Sequence, residues 1–217
     1  TPAWGIVCAG MTNVNDCERE PELSQRINVE NTIRLLELFS RYDVKPVFFS
    51  SDSVFDGSRD RPDEEFPVRP LTLYGRQKSE VEVYIRAHFK THLILRTGRQ
   101  LSTRPHRKNA ITDIANRLSR GETVVLPKDR RITPVFIEDI GKILRLLLLS
   151  GATGTFHLAQ PDDLSWVELG QAIAEKSGLD ASLVQAGSSS NNPRPPFGTL
   201  NSRKIRHLLG QFHWQKF

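Results

Sequence analysis

Tyr74 and Lys78 are the side chains in this sequence whose types and spacing best suit acid–base chemistry. Four residues are about one helical turn, roughly 6 Å of rise, so on a helix both side chains project from one face. A free phenol has a pKa of about 10 and exchanges protons poorly at neutral pH. A nearby ammonium favours the phenolate, so Lys78 is predicted to lower the pKa of Tyr74 and also to hold a ribose hydroxyl. Tyr74 would then exchange a proton with a carbonyl or an alcohol.

Three serines, Ser50, Ser51 and Ser53, follow an apolar run that lies some twenty residues before Tyr74. The run is apolar on consecutive residues, as buried parallel strands are. Open α/β sheets build their sites at the carboxyl ends of such strands. We therefore predict that Ser51 donates a hydrogen bond to a substrate carbonyl while Tyr74 donates the proton. The alternative is that Ser50 and Ser51 only turn the chain and cap a neighbouring group.

The elements that must position these residues alternate between short β-branched runs and amphipathic stretches. Predicted strands cover residues 5–8, 45–50, 92–96, 123–126 and 154–159. Predicted helices cover residues 21–41, 73–89, 108–120, 137–149, 165–178 and 201–209, with loops at 56–70 and 187–196. On the helix at 21–41, the predicted buried face consists of Leu23, Ile27, Leu35 and Leu38. This order predicts βαβ crossovers and a parallel sheet that carries a smaller mixed lobe, with a cleft between the two.

Composition and charge exclude several classes of protein. Of the 217 residues, 38% are hydrophobic and 25% are charged, which excludes disorder and a coiled coil. The longest uninterrupted apolar run, residues 146–149, is far short of a membrane span, and no basic-then-apolar leader opens the chain. Cys8 and Cys17 are too few and too close for a disulfide framework, so reduced thiols and a cytoplasmic location are expected.

The net charge of +5 comes from scattered rather than clustered basic residues. A solvated surface and a cleft for an anionic small molecule both fit this distribution. Nucleic acid is disfavoured, because neither zinc-ligand spacing nor an aromatic-basic ribonucleoprotein motif is present in the sequence. His157 lies in an apolar strand pattern and is interpreted as a core histidine, and Trp166 and Trp214 as packing residues.

Six motifs, in collinear order, resemble the extended short-chain dehydrogenase/reductases, and among them the dTDP-4-dehydrorhamnose reductase group of nucleotide-sugar enzymes. Two carry the chemistry: Ser-Ser-Asp-Ser-Val-Phe-Asp-Gly at residues 50–57 and Tyr-Gly-Arg-Gln-Lys at residues 74–78. The others lie at residues 7–16, 27–32, 95–97 and 194–204. The resemblance covers nearly the whole chain and implies an α/β fold with a Rossmann-like parallel sheet flanked by helices. Residues 1–100 would be a partial dinucleotide-binding domain, and 101–217 mainly a substrate-binding lobe from which 132–160 returns to the main sheet.

The resemblance also implies roles for individual residues, with NAD(P)H as cofactor and a nucleotide sugar as substrate. The catalytic residues would be Ser51, Tyr74, Lys78 and Asn28. The cofactor-binding residues would be Cys8, Ala9, Gly10, Thr12, Ser50, Tyr74, Lys78 and Thr97. The substrate-binding residues would be Ser53, Val54, Arg99, Asn109 and Arg194, of which Arg194 would meet the sugar-nucleotide diphosphate. No metal is expected, and a homodimer is left open.

The sequence departs from the family pattern in three places. No Gly-x-x-Gly-x-x-Gly motif occurs, so we expect a segment to precede this chain in the full protein and the chain alone to bind dinucleotide weakly. The alternative is that the protein itself does not bind NAD(P) tightly. Ser53 replaces a tyrosine and leaves no second carboxylate after Asp52, which argues against 4,6-dehydration. Gly98 and Arg99 stand where the reductases carry a serine and an aromatic residue, so the sugar pocket is expected to differ.

Further basic residues are weaker candidates for a diphosphate site, with solvated surface as the alternative for each: Arg99, Arg104, Arg107, Lys108, Arg130 and Arg131. Asn109 is equally suited to substrate binding and to capping a helix.

The sequence supports one leading hypothesis and two alternatives. The leading hypothesis is NAD(P)H-dependent reduction of a 4-keto nucleotide sugar in deoxysugar biosynthesis. The alternatives are a non-catalytic regulatory subunit similar to the β subunit of methionine adenosyltransferase, and a nucleotide-sugar epimerase. The sequence does not discriminate NADH from NADPH, and it does not name the sugar.

Overall fold

The computed structural model describes residues 3–104, 109–188 and 197–215, and its centre is a sheet of four parallel strands. The strands in chain order are β1 (Trp4–Val7), β2 (Lys45–Ser51), β3 (Leu93–Thr97), β4 (Gln100–Leu101), β5 (Val124–Pro127), β6 (Arg131–Ile132), β7 (Val135–Phe136), β8 (Gly154–Leu158), β9 (Leu164–Ser165), β10 (Val184–Gly187) and β11 (Phe197–Gly198). The main sheet has the order β1-β2-β3-β8, all parallel, which confirms the predicted sheet.

The helices connect these strands. They are α1 (Val14–Arg19), α2 (Pro21–Gln25), α3 (Asn31–Arg41), α4 (Leu73–His88), α5 (Ala110–Ser119), α6 (Ile137–Leu149), α7 (Trp166–Lys176) and α8 (Arg203–Leu209). A π-helical turn at Arg26–Glu30 joins α2 to α3, and short 3-10 turns cover Asp52–Val54 and Ala181–Leu183.

Both faces of the main sheet are covered, because successive side chains of a strand point to opposite faces. On β3, Leu93 and Leu95 pack with α6, whereas Ile94 packs on the opposite face with α3 and α4. The register pairs Ser51 of β2 with Thr97 of β3. Because parallel strands end at the same edge, polar residues that follow them meet there.

The predicted buried face of the helix at 21–41 is wrong. Leu23, Leu35 and Leu38 are exposed, whereas the inward positions are occupied by Ser24, Asn28, Val29, Thr32 and Leu36. The π-helical turn inserts an extra residue and changes the phase of the helix, so one continuous 3.6-residue period does not apply. Three of the inward residues are polar, Ser24, Asn28 and Thr32, and the first two take part in the hydrogen bonds of the site described below.

A smaller lobe forms from the second half of the chain. It contains the parallel pair β10-β5 and a three-stranded sheet of order β11-β6-β9, and α5 and α7 pack around a second apolar core. The start of α7 carries a capping box: Glu168 N–H donates to Ser165 Oγ (3.1 Å), and Ser165 N–H donates to Glu168 Oε2 (2.6 Å). This box fixes the start of α7, which carries Trp166 into the site.

In the three described ranges of the chain, no helix combines the length and apolarity that a bilayer span requires. Within the same ranges, no cluster of three His, Cys, Asp or Glu residues is arranged to hold a metal ion.

Candidate active site

A cavity of about 770 Å³ lies at the carboxyl edge of the main sheet, where the small lobe meets it. The ends of three strands reach it, through Val7 of β1, Ser51 of β2 and Thr97 of β3. Tyr74 and Lys78 line the same cavity, so the structure brings together the residues that the sequence singled out for acid–base chemistry.

Tyr74 and Lys78 are presented by the first turns of α4. The Thr72 side chain caps this helix by accepting a hydrogen bond from Gly75 N–H (3.1 Å). Lys78 Nζ donates to the Phe49 carbonyl oxygen (2.9 Å) and lies 5.6 Å from the centroid of the Tyr74 ring. Both side chains are buried except where the cavity reaches them.

The proton affinities of this pair differ from the expectation that Lys78 lowers the pKa of Tyr74. Burial, followed by the neighbouring Asp52 carboxyl, raises the pKa of Tyr74 above the ordinary tyrosine value, and a hydrogen bond with Ser51 opposes this only in part. Burial lowers the pKa of Lys78 to about 8, although the Glu82 carboxylate favours the ammonium. Burial thus acts against the charged form of each group, and the raised pKa favours the protonated phenol of Tyr74.

Ser51 is held in a short hydrogen-bonded chain. Its hydroxyl donates to Asp52 Oδ1 (2.9 Å), and its Oγ accepts from Ser53 N–H (3.1 Å), which caps the turn Asp52–Val54. Ser53 Oγ also donates to Asp52 Oδ1 (3.4 Å). Burial raises the pKa of Asp52, against the hydrogen bond from Ser51 and the charge of Arg99. Ser51 therefore caps the turn, as the alternative prediction states, and also lines the cavity.

Gly75 explains why a glycine follows Tyr74. A Cβ atom at Gly75 would lie 2.1 Å from the Ser53 carbonyl oxygen and 3.0 Å from Pro70 Cβ. The close approach fixes α4 against the turn that carries Ser51 and Ser53, so these serines and Tyr74 keep a constant separation.

Asn28 lies behind the cavity wall, in the π-helical turn. Its Oδ1 accepts from Met11 N–H (2.7 Å), and its Nδ2 donates to the Met11 carbonyl (2.9 Å) and to Gln77 Oε1 (2.8 Å). Gln77 in turn donates to Ser24 Oγ (2.8 Å). These bonds connect Met11 to Gln77 of α4 through Asn28, which is not among the described residues that line the cavity.

A buried ion pair supports the back of the site. Glu82, one turn after Lys78 on α4, accepts from Arg96 Nη2 (2.7 Å) and Nε (3.0 Å), and from Ser50 Oγ (2.6 Å). Burial alone would raise the pKa of Glu82, but the Arg96 contacts outweigh it, so this pKa is lowered. Ser50 therefore directs its hydroxyl to Glu82, although the residue borders the cavity.

His157 is a buried core histidine, as its strand pattern predicts. Its Nε2 lies 3.4 Å from Arg96 Nη1, and its ring meets Phe55 edge-on with centroids 5.7 Å apart. Burial and then the Arg96 charge lower the pKa of His157 to about 3, so the imidazole stays neutral.

Arginines from two parts of the chain also line the cavity: Arg99, which follows β3, and Arg130 and Arg131 of the small lobe. The Arg99 guanidinium carbon lies 5.0 Å from the centroid of the Trp166 ring, which lines the cavity as well. Sequence reasoning assigned Trp166 only to packing and missed this role. The available signal was its position at the start of the predicted helix, directly after Ser165.

The remaining candidate residues fall into three groups: those that line the cavity, those with a structural role, and those outside the described residues. Cys8, Ala9, Thr12, Ser53 and Thr97 line the cavity. Val54 is instead buried with Phe55 in a small apolar cluster, and a Cβ at Gly10 would contact Asn28 Oδ1 (3.2 Å) rather than the cavity.

Asn109 caps a helix, which is one of the two roles that the sequence suggested: its Oδ1 accepts from Ile111 N–H (2.9 Å) at the start of α5. Arg104 pairs with Glu138 (3.4 Å) on the surface. Trp214 packs beside the main core, as expected. Arg107, Lys108 and Arg194 lie outside the described residues.

A parallel sheet with serine, tyrosine and lysine converging at its carboxyl edge defines a protein of the short-chain dehydrogenase/reductase type. Residues 1–216 match the family model described as the RmlD substrate binding domain, and the chain belongs to that family.

Two relatives and one solved structure illustrate the likeness. The chain is 30% identical to the probable low-salt glycan biosynthesis reductase Agl14 of Haloferax volcanii, across 88% of this chain and 65% of the relative. It is 26% identical to dTDP-4-dehydrorhamnose reductase of Mycobacterium tuberculosis, across 97% of this chain and 73% of the relative. The crystal structure of dTDP-4-dehydrorhamnose reductase from Bacillus anthracis in complex with NADP superimposes with a TM-score of 0.90 at 22% identity, covering 99% of this chain and 77% of that one. The chain therefore spans about two thirds to three quarters of the length of these proteins.

Proposed function

We propose that this chain supplies the catalytic residues and the sugar-nucleotide site of an NAD(P)H-dependent reductase that converts the 4-keto group of a nucleotide sugar to an alcohol. One observation carries the proposal: Tyr74, Lys78 and Ser51 line a single cavity that Arg99, Arg130 and Arg131 also line. The names of the relatives, which include reductases of glycan and rhamnose biosynthesis, support the same reaction class. Residues 1–100 would serve the cofactor and 101–217 the substrate, apart from the return of 132–160 to the main sheet.

The residues at one end of the cavity fit the nicotinamide riboside portion of NAD(P)H. Two small side chains, Cys8 and Ala9, follow β1 and line the cavity, and Lys78 lies close enough to Cys8 for the two to interact electrostatically. Lys78 would hold a ribose hydroxyl, and Thr97 and Thr12 border the same end. The cofactor, when bound, supplies a hydride to the carbonyl carbon.

Tyr74 is suited to protonate the oxygen of the reduced carbonyl. Its raised pKa keeps the phenol protonated until negative charge develops on that oxygen. Lys78, with a pKa of about 8, carries a charge at neutral pH and stabilises the phenolate that remains after the transfer.

Ser51 would orient the keto oxygen, and the protonation state of Asp52 would determine whether the Ser51 hydroxyl can donate to that oxygen. In the structure the Ser51 hydroxyl donates to Asp52. Because burial raises the pKa of Asp52, this carboxyl can hold a proton and donate to Ser51 Oγ, which releases the Ser51 hydrogen for the substrate.

The cavity-lining arginines of the small lobe would bind the nucleoside diphosphate. Arg130 and Arg131 line the cavity on the side of the small lobe, and diphosphates are bound by convergent cations. Arg194 is proposed to join them, on the strength of its motif. Asn109 and Val54 are not needed for this arrangement.

The direct experiment incubates the complete protein with a dTDP-4-keto-6-deoxyhexose and a reduced nicotinamide cofactor labelled with deuterium at the transferable position. The proposal predicts a sugar alcohol with deuterium at C4. An unaltered keto sugar, with nucleotide binding intact, would favour the regulatory alternative. A sugar with inverted configuration and no deuterium would favour an epimerase.

We further propose a homodimer formed through the exposed apolar face of α3 and α4. Leu35, Leu38 and Val83 are exposed there on adjacent helices. Light scattering on the parent and on Leu38→Glu should show a dimer that the substitution dissociates, whereas a monomeric parent would contradict this. A cytoplasmic location is also proposed, and the two free thiols support it.

A further inference from the structure

The carboxylate of Asp163 joins two arginines from different parts of the fold: Arg61, in the loop between β2 and α4, and Arg131, on β6. We propose that Asp163 is a positioning residue of the nucleotide site, because it fixes the orientation of Arg131, which lines the cavity. The inference rests on the proposed function, since Arg131 is one of the arginines proposed to bind the nucleoside diphosphate. Asp163 itself is not among the described residues that line the cavity, so it would act through Arg131.

Each oxygen of the Asp163 carboxylate has its own arginine. Oδ1 accepts from Arg61 Nη2, Oδ2 accepts from Arg131 Nε, and the Asp163 side chain is only 12% exposed. Arg131 Nη2 also donates to the Asp163 carbonyl oxygen (3.4 Å), and Nη1 lies 3.7 Å from Glu168 Oε2. A guanidinium has five N–H donors, so Arg131 keeps donors for a phosphate while Asp163 fixes its Nε edge.

Arg61 is itself held in place. Its N–H donates to Thr199 Oγ1 (2.9 Å), and its Nη1 donates to the Pro161 carbonyl oxygen (3.2 Å). Its φ of 49° lies in the left-handed region, a conformation that a residue with a side chain keeps only when its surroundings impose it. Thr199 directly follows β11 and Asp163 directly precedes β9, so the contacts of Arg61 reach both outer strands of the sheet β11-β6-β9. Arg131 lies on the strand between them.

The loop that carries Arg61 also connects the two segments of the reduction site. It starts at the end of the turn after Ser51 and leads into α4, which carries Tyr74. Its two ends are joined, because Arg69 N–H donates to the Val54 carbonyl oxygen (2.9 Å), and apolar side chains from both of its halves pack in one cluster. The loop therefore connects, contact by contact, the reacting groups with the carboxylate that holds the arginine proposed for the diphosphate.

Removal of the Asp163 charge separates a positioning role from a purely electrostatic one. A carboxylate near an anion site repels the anion, so electrostatics alone predict slightly tighter diphosphate binding without it, an effect that is largely screened at about 0.15 M salt. A positioning role predicts weaker binding, because Arg131 loses the partner that fixes it and has to be ordered by the ligand. The sign of the change in affinity therefore distinguishes the two.

Asp163→Asn tests the inference, because its amide has one acceptor oxygen and cannot serve both arginines. Calorimetric titration of the complete protein with dTDP should give an affinity roughly three- to tenfold lower than that of the parent, as expected when the ligand has to order one long side chain. Asp163→Glu keeps the charge but moves it by one methylene group, so its affinity should lie between the two. In turnover of the keto sugar, Asp163→Asn should raise KM and leave kcat nearly unchanged, because it affects binding rather than the reacting groups.

A double-mutant cycle shows whether the effect passes through Arg131. In the Arg131→Gln background, Asp163→Asn should cause no further loss of dTDP affinity. Asp162→Asn is the matched control, because this exposed neighbour loses the same charge and should keep the affinity of the parent. Thermal melting confirms that each variant is folded, and Asp163→Glu carries the comparison if Asp163→Asn does not fold.

Unchanged or tighter dTDP binding in the folded Asp163 variant would overturn the role of Asp163 and leave the proposed function standing. An equal loss of affinity with and without Arg131→Gln would overturn it as well, because Asp163 would then not act through Arg131. If the parent protein does not bind dTDP, the proposed nucleotide site fails, and this inference fails with it.

Discussion

The carboxylate of Glu82 and the guanidinium of Arg96 form a two-point ion pair, with bonds of 2.7 and 3.0 Å, in the interior directly behind Lys78. It joins α4, which carries the acid–base pair, to β3, which ends at the cavity. Because Ser50 also donates to Glu82, the end of β2 is tied to the same carboxylate. The site is therefore positioned by a charged network rather than by apolar packing alone.

Glu82→Gln should destabilise the protein strongly. The amide cannot neutralise Arg96, and breaking a buried pair typically costs about 3–5 kcal/mol. Urea unfolding measures the change. The control is Arg86→Ala, which removes the partly exposed second partner of Glu82 and should cost about 0–1 kcal/mol. Similar small effects for both variants would show that the buried pair does not support the fold.

The buried ammonium of Lys78 should make stability depend on pH. Its pKa falls from 10.5 to about 8 on folding, so between these values the unfolded chain binds more protons than the folded one. The contribution of Lys78 therefore opposes folding below pH 8, and the free energy of unfolding should rise as the pH increases from about 8 to about 10.5.

Lys78→Met should remove this slope and stabilise the protein by about 1–3 kcal/mol at pH 7. The exposed Lys90→Met serves as the control and should keep the slope of the parent. An unchanged pH profile in Lys78→Met would mean that Lys78 is not desolvated in the folded protein.

Gly75→Ala should disturb the serine turn and Tyr74 together, because the new Cβ would meet the Ser53 carbonyl at 2.1 Å. Overpacking of this kind costs about 1–3 kcal/mol. Gly141 is the matched helical control: no atom lies within 4 Å of its Cβ position, so Gly141→Ala should stabilise α6 by about 0.5–1 kcal/mol. Thermal melting compares the two. Tolerance of alanine at both positions would show that the close approach at Gly75 is not required.

Arg194→Ala should weaken the binding of a nucleoside diphosphate. The sequence motif around Arg194 assigns it to the diphosphate, and charge-assisted hydrogen bonds of this kind contribute about 1.5–3 kcal/mol. Calorimetry with dTDP should show a loss that shrinks as salt is raised, with little change in melting temperature. Equal affinities for parent and variant would contradict a role of Arg194 in diphosphate binding.

Local patterns predicted the frame of the site well. The four-residue spacing of Tyr74 and Lys78 and the apolar run before Ser50 both depend on short-range geometry, and the structure places them as expected. Such patterns do not report burial, which sets proton affinity. The pKa of Tyr74 is raised rather than lowered because burial, and then the neighbouring Asp52 carboxyl, disfavour the phenolate.

Contacts between distant elements were not predictable from the sequence. The π-helical turn that directs Asn28 inward interrupts the 3.6-residue period of the helix. The spacing of the leucines in α3 therefore predicted the wrong buried face. The pairing of Arg99 with Trp166 joins residues 67 positions apart, in different elements.

The most direct test of the account is keto-sugar-dependent oxidation of NAD(P)H by the complete protein and by its Tyr74→Phe variant. The phenylalanine keeps the ring that packs near Lys78 and lacks only the hydroxyl, so the variant should bind the nucleotide sugar normally. Loss of a general acid typically costs on the order of 10² or more in turnover, and that decrease is the predicted result. Unchanged turnover in Tyr74→Phe would remove Tyr74 from the proton transfer and contradict the proposed mechanism.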